Sequence, residues 1–246
     1  MTIHSETHGS GDPILLLHGG IGSGAMFASL TPALARTRQV TLVDLPGHGR
    51  SPDPGGPLDP IAFADAIAAT IDGRTDVLGY SLGGMVALRL ALQHPDKVRN
   101  LILVSVAASR AGNHPDVIAE MDAMTPDLAD ALKGSPLHTF YAEHAPDPGN
   151  WGTLIAKTSA AIKADYDWLA ELPALEPRTL LVYADADSIR PDHIVATYAA
   201  LGGGLRDARW DGSQAPVNRL AVLPGTSHYD IVDSPLLAPA IESFLP

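Results

Sequence analysis

The sequence contains no cysteine, which excludes disulfides, thiolate-bound zinc and a cysteine nucleophile, and which suits a reducing compartment. Lysine is scarce, at four of the sixteen basic residues, and no basic cluster forms. Against 28 acidic residues this leaves a formal net charge of −12. A nucleic-acid partner needs a basic footprint, and an anionic membrane surface attracts one, so neither partner is expected. Long apolar runs are also missing. ILLL at 14–17 and LILV at 101–104 fall far short of the roughly 20 residues that cross a bilayer. The opening MTIHSETHGSGD has no basic stretch leading into an apolar one, so no signal peptide is expected and the expected location is cytoplasmic.

What is present is a chain of 246 residues, 46% hydrophobic and 18% charged, enough for one α/β domain with a substantial core. Short β-rich runs at 14–18, 39–44, 75–79, 101–105, 179–184 and 219–223 alternate with helical spacing at 25–34, 60–71 and 82–94. Asp59 and Pro60 read as the cap and first position of the second helix, and Pro95 ends the third. This alternation predicts a mostly parallel central sheet with helices on both faces. Two stretches break it. Residues 108–175 hold helical fragments divided by prolines and rich in large apolar side chains, which predicts an inserted helical lid between core segments 1–107 and 176–246. Residues 202–218 are a polar, glycine-rich insertion before the last strand.

Gly79-Tyr80-Ser81-Leu82-Gly83 matches G-x-S-x-G between a β-rich run and an Ala/Leu-rich helix. A sharp strand-to-helix turn projects the serine hydroxyl, and the helix N-terminus favours developing negative charge. A serine nucleophile needs a base, and the base needs an orienting acid. Of the ten histidines, His228 stands just beyond the last strand, in Pro224-Gly225-Thr226-Ser227-His228. His18 and His48, in glycine-rich loops at strand ends, read as structural neighbours. His4 and His8 are four apart without a supporting carboxylate motif, so no metal site is expected. Asp185 and Asp187 both follow the run at 179–184. Asp185 is close enough to the strand for the pleat to set its direction. Asp187 lies in a loop that can turn toward His228, with Pro191 closing the loop and Asp192 as the next helix cap.

With Leu17-His18-Gly19-Gly20, Asp44-Leu45-Pro46-Gly47-His48-Gly49-Arg50-Ser51 and Asp187-Ser188-Ile189-Arg190-Pro191, the chain resembles the α/β-hydrolase superfamily over about residues 13–245. The resemblance is to its small, cofactor-free, lid-bearing members. It implies Ser81 as nucleophile, Asp187 as acid and His228 as base, with an oxyanion hole from the N–H groups of Gly20 and Leu82. Asp44 and His48 match a loop that is usually structural. The first β-hairpin is abbreviated and the 202–218 insertion is extra. Dehalogenases and epoxide hydrolases of this fold use an aspartate where Ser81 stands, which leaves hydrolysis of an ester, thioester or lactone through an acyl-enzyme. A cofactor-free haloperoxidase (perhydrolase), a carbon–carbon bond hydrolase and a ligand receptor on this fold keep the same triad and remain alternatives. The lid's apolar residues suggest a small to medium, uncharged ester-like substrate. Ile21, Trp151 and Trp168 are the candidate substrate-binding residues. No cofactor is expected, and no motif encodes an oligomeric state.

Overall fold

The computed structural model describes residues 2–246. Among them, seven strands form one sheet: β1 (Ser5–His8), β2 (Asp12–Leu17), β3 (Arg38–Val43), β4 (Thr75–Tyr80), β5 (Val98–Val104), β6 (Arg178–Ala186) and β7 (Arg219–Ser227). Their order is β1-β3-β2-β4-β5-β6-β7, with β1 antiparallel to β3 and every other pair parallel. The pleat alternates side chains between two cores. Leu15, Leu17, Val77, Leu101, Leu103, Leu181 and Tyr183 pack on one face. Ile14, Leu16, Leu78, Ile102, Val104, Leu180 and Val182 pack on the other.

The helices are α1 (Thr31–Leu34), α2 (Pro60–Ala68), α3 (Leu82–Gln93), α4 (Pro115–Ala123), α5 (Leu128–Ala131), α6 (Pro136–His144), α7 (Trp151–Lys163), α8 (Pro191–Ala200) and α9 (Leu237–Phe244). Helices α2, α3 and α8 cover the first face, while α1 and α9 cover the second. Asp59 caps α2 by accepting from the Ile61 N–H at 2.9 Å. Prolines 115 and 136 begin α4 and α6, which is how the proline-rich segment stays helical: a first-turn proline gives up no needed hydrogen bond.

Several expectations are corrected. The helix expected over 25–34 is a 3₁₀ turn, Gly24–Phe27, followed by the single turn α1, because Pro32 cannot donate within a continuous helix. Helix α8 starts at Pro191 with Arg190 as its cap, so Asp192 sits inside the first turn. The expected first β-hairpin is replaced by the edge strand β1, which pairs antiparallel with β3 rather than with the next strand β2. Strands β6 and β7 run past their expected ends to Ala186 and Ser227, with a register irregularity between Ala184 and Ala186. The 202–218 insertion forms no helix or strand and leaves Trp210 fully exposed. Asn218 ties off its end, accepting from the Thr179 N–H at 2.8 Å and donating to Leu201 O at 2.7 Å.

The amino ends of the central strands meet at Asp76, which is fully buried. Its carboxylate accepts from Arg38 (3.0 Å), from Arg99 through Nε (2.9 Å) and Nη2 (2.8 Å), and from Asn100 (2.7 Å). Arg38 also donates to the carbonyl of Pro246 at 2.6 Å, bringing the segment after α9 into the network. Asp76→Ala removes the carboxylate paired with the buried Arg38 guanidinium and is expected to destabilise the fold by about 3–5 kcal/mol. Urea unfolding checks this, and an unchanged midpoint contradicts it.

Candidate active site

Ser81 sits between β4 and α3 with φ 51° and ψ −118°, a conformation that a non-glycine residue holds only under tertiary constraint. The constraint is visible. A Cβ on Gly83 would strike the carbonyls of Leu17 and His18, and one on Gly79 would strike the backbone of Gly83 and Gly84. Helix α3 therefore lies directly against β2 and β4, and the chain must turn sharply to reach it. The Ser81 N–H donates to Val104 O at 3.1 Å, so the serine stays registered to the sheet edge. Ile21 and Ser105 also have positive φ, at 63° and 51°, and both border the same region.

The Ser81 hydroxyl lies 3.2 Å from His228 Nε2, and His228 Nδ1 lies 3.2 Å from Asp187 Oδ1. Asp187 Oδ2 accepts from the Ser105 hydroxyl at 2.6 Å and from the Ala184 N–H at 2.9 Å. Asp185 turns elsewhere. Its carboxylate accepts from the N–H groups of Gly225 (3.0 Å) and Thr226 (3.1 Å), clamping the end of β7 just before His228. The Tyr80 hydroxyl adds a tie from the serine turn, donating to His228 O at 2.7 Å.

Gly20 stands beside the first residue of α3. A Cβ on it would meet Leu82 Cβ at 4.0 Å and Thr158 Cγ2 of α7 at 3.7 Å. Leu82 opens its helix, so its N–H has no acceptor four residues back in the helix. His18 holds this loop in place: Nδ1 bonds Gly19 O at 2.7 Å, and Nε2 accepts from the Leu45 N–H at 2.9 Å. Asp44 completes the tie by accepting from the N–H groups of Gly24 (2.7 Å) and Arg50 (2.8 Å).

Ile21 packs on a small cluster formed by Tyr141, Trp151, Leu154 and Ile155 within 108–175. Trp151 is buried there, and its indole N–H donates to Ala129 O at 3.0 Å. Trp168 is not brought to this group. Its ring lies in the larger core, beneath the Arg89 guanidinium and against Tyr166, so it packs the segment onto α3. Sequence reasoning missed Thr158, whose hydroxyl is buried without a hydrogen-bond partner, and Lys157, paired with Asp53 at 2.6 Å. No motif marks either one.

Residues 12–161 match the family model described as alpha/beta hydrolase fold, and the chain belongs to that family. It is 39% identical over 198 residues to a pimeloyl-(acyl-carrier protein) methyl ester esterase from Neisseria meningitidis, covering 72% of this chain and 76% of that one. An esterase of the same description from Chromobacterium violaceum is 33% identical, with 93% and 91% covered. Among solved structures, the enol-lactonase from Burkholderia xenovorans superposes with a TM-score of 0.73 at 20% identity, covering 98% of this chain and 95% of that one. At that identity the likeness is one of fold. No helix of the described residues is long and apolar enough to cross a membrane.

Burial governs the ionisable groups around the site. It would raise the Asp187 carboxyl, but hydrogen bonds from His228, Ser105 and the Ala184 N–H outweigh it and hold the group below its usual value. Burial pushes His18 down to about 4, against the opposing bond to Gly19. Burial and the neighbouring His18 push His48 down to about 3. Both imidazoles are neutral in the fold, whereas an unfolded chain protonates them near the ordinary 6.5. Their stabilising contribution is therefore complete above about pH 6.5 and drains as the pH falls toward about 4 and 3, at up to ~1.4 kcal/mol per pH unit for each. The thermal midpoint should hold steady above about pH 7 and drop steadily below about pH 6. A midpoint that stays constant down to about pH 4.5 would contradict this.

Proposed function

We propose that this protein is a serine esterase that forms an acyl-enzyme on Ser81, with His228 as base and Asp187 as the orienting acid. The observation that carries the reading is the unbroken chain from Ser81 Oγ through His228 to Asp187, at 3.2 Å for each link. His228 Nε2 takes the Ser81 proton as Oγ attacks the ester carbonyl carbon. The negative charge moves to the carbonyl oxygen, facing the N–H groups of Gly20 and Leu82. Removing one donor of this kind typically costs about 3–4 kcal/mol in the transition state. His228 then protonates the leaving alkoxide, the C–O bond breaks and the alcohol departs. A water attacks the acyl-enzyme by the same steps, releasing the acid and restoring Ser81.

Segment 108–175 serves as the lid in this reading, and Lys157 paired with Asp53 fastens it to the body. Ile21 and Thr158 border the acyl site, and Trp151 acts behind Ile21 by packing the lid. An apolar wall with one hydroxyl suits an uncharged acyl chain. The esterase relatives, at 39% and 33% identity, favour a simple ester over a thioester or lactone, and a methyl ester within that class.

A fluorophosphonate should label Ser81, and Ser81→Ala should lose both labelling and turnover of medium-chain methyl esters. Turnover that survives in the variant removes Ser81 from the mechanism. Faster perhydrolysis of acetate with peroxide than ester hydrolysis would favour the haloperoxidase alternative, and labelling without turnover of any ester would favour a receptor. Asp187→Asn favours the wrong imidazole tautomer and should lower kcat by about 10⁴. Asp185→Asn should cost far less, and the reverse ranking in folded variants would overturn the assignment.

A further inference from the structure

His228 Nδ1 has two neighbours, and the nearer is a hydroxyl. Ser188 Oγ lies 3.0 Å from Nδ1, whereas Asp187 Oδ1 lies 3.2 Å away. Ser188 Oγ is also 3.5 Å from that same carboxylate oxygen, which closes a triangle of imidazole, hydroxyl and carboxylate. If His228 accepts from Ser81 at Nε2, its single proton sits on Nδ1 and is donated into this triangle. The direct distance to Asp187 is long for a charge-assisted bond, usually about 2.7–2.9 Å. The other carboxylate oxygen is already committed to Ser105 and the Ala184 N–H.

We propose that Ser188 is a positioning residue that shares the Nδ1 proton of His228 with Asp187, so that two acceptors hold the base. This rests on the reading of Ser81 and His228 given above. The hydroxyl accepts from the imidazole while its own hydrogen points toward Asp187 Oδ1. When His228 takes the Ser81 proton and becomes cationic, both bonds from Nδ1 strengthen, so the benefit falls in the transition state. The loop does not depend on this side chain. Ser188 O accepts from the His114 N–H at 2.9 Å, and the Arg190 N–H donates to Gly112 O at 2.9 Å. A variant without the hydroxyl should therefore fold.

The experiment measures fluorophosphonate labelling rate, kcat and KM on a soluble methyl ester for wild type, Ser188→Ala, Ser188→Thr, Asp187→Ala and the Asp187→Ala/Ser188→Ala double variant. Circular dichroism checks each fold. Ser188→Ala should slow labelling and kcat about tenfold with KM unchanged, and Ser188→Thr, which keeps the hydroxyl, should recover most of the loss. In the Asp187→Ala background the serine change should cost at least as much again, because the last acceptor for Nδ1 is then gone. Groups that act only as one unit cost little more once a member is missing. An unchanged rate in Ser188→Ala overturns the inference while leaving the Ser81 reading intact. So does a serine change without effect in the Asp187→Ala background, which would mean that Ser188 merely orders Asp187. Wild-type protein that resists labelling would remove the underlying reading and the inference together.

Discussion

Helix α3 approaches β2 so closely that no side chain fits at Gly83, and this contact fixes the serine turn on which the rest of the site is built. With α3 pressed against the sheet, the link from β4 has room for only one sharp turn, and Ser81 occupies it at positive φ. Such a conformation costs of order 1–3 kcal/mol and persists only where its surroundings over-determine it. The buried face of α3, with Val86, Ala87 and Leu90, supplies that restraint. The same approach sets Leu82, the first residue of α3, beside Gly20.

The second half of the site comes from the carboxyl ends of β6 and β7, and needs its own restraint. An exposed loop would let His228 wander, but β7 runs up to Ser227 and Asp185 grips its last backbone amides. Asn218 confines the preceding insertion, so its length does not reach the histidine. Tyr80 then joins the two halves, because its hydroxyl leaves the serine turn and ends on His228 O. Burial, with the Asp187 charge next, raises the Tyr80 phenol, which keeps it protonated and donating.

Much of this was legible in the sequence where burial writes a pattern. Strands β2 to β6 read as apolar runs because both faces of a covered parallel sheet are dry, whereas β7, at the sheet edge, read as one although only Leu223 in it is buried. The edge strand β1 did not, since SETH is mostly exposed and carries no apolar alternation. The serine turn was legible because glycine is needed wherever backbones touch. Trp168 was misread because a tryptophan within 108–175 looks the same in sequence whether it faces a pocket or the body, and its place in the larger core beneath Arg89 decides it. The two aspartates after β6 illustrate another limit. Pleat direction separates them, yet the amide clamp made by Asp185 depends on β7 and is invisible locally. Ser105 and Thr158 carry no motif, and Ser188 lies in one that marks only its neighbour Asp187: each matters through a neighbour more than 30 residues away.

The central claim is that a strained Ser81, activated through His228, carries the acyl group. Rapid quenching of the protein with an activated medium-chain ester, followed by peptide mass mapping, tests it most directly. The account predicts a burst of released alcohol matched by an acyl adduct on the peptide containing Ser81, which decays as water turns it over. A burst with the adduct on another residue, or steady ester turnover with no adduct formed, would contradict it.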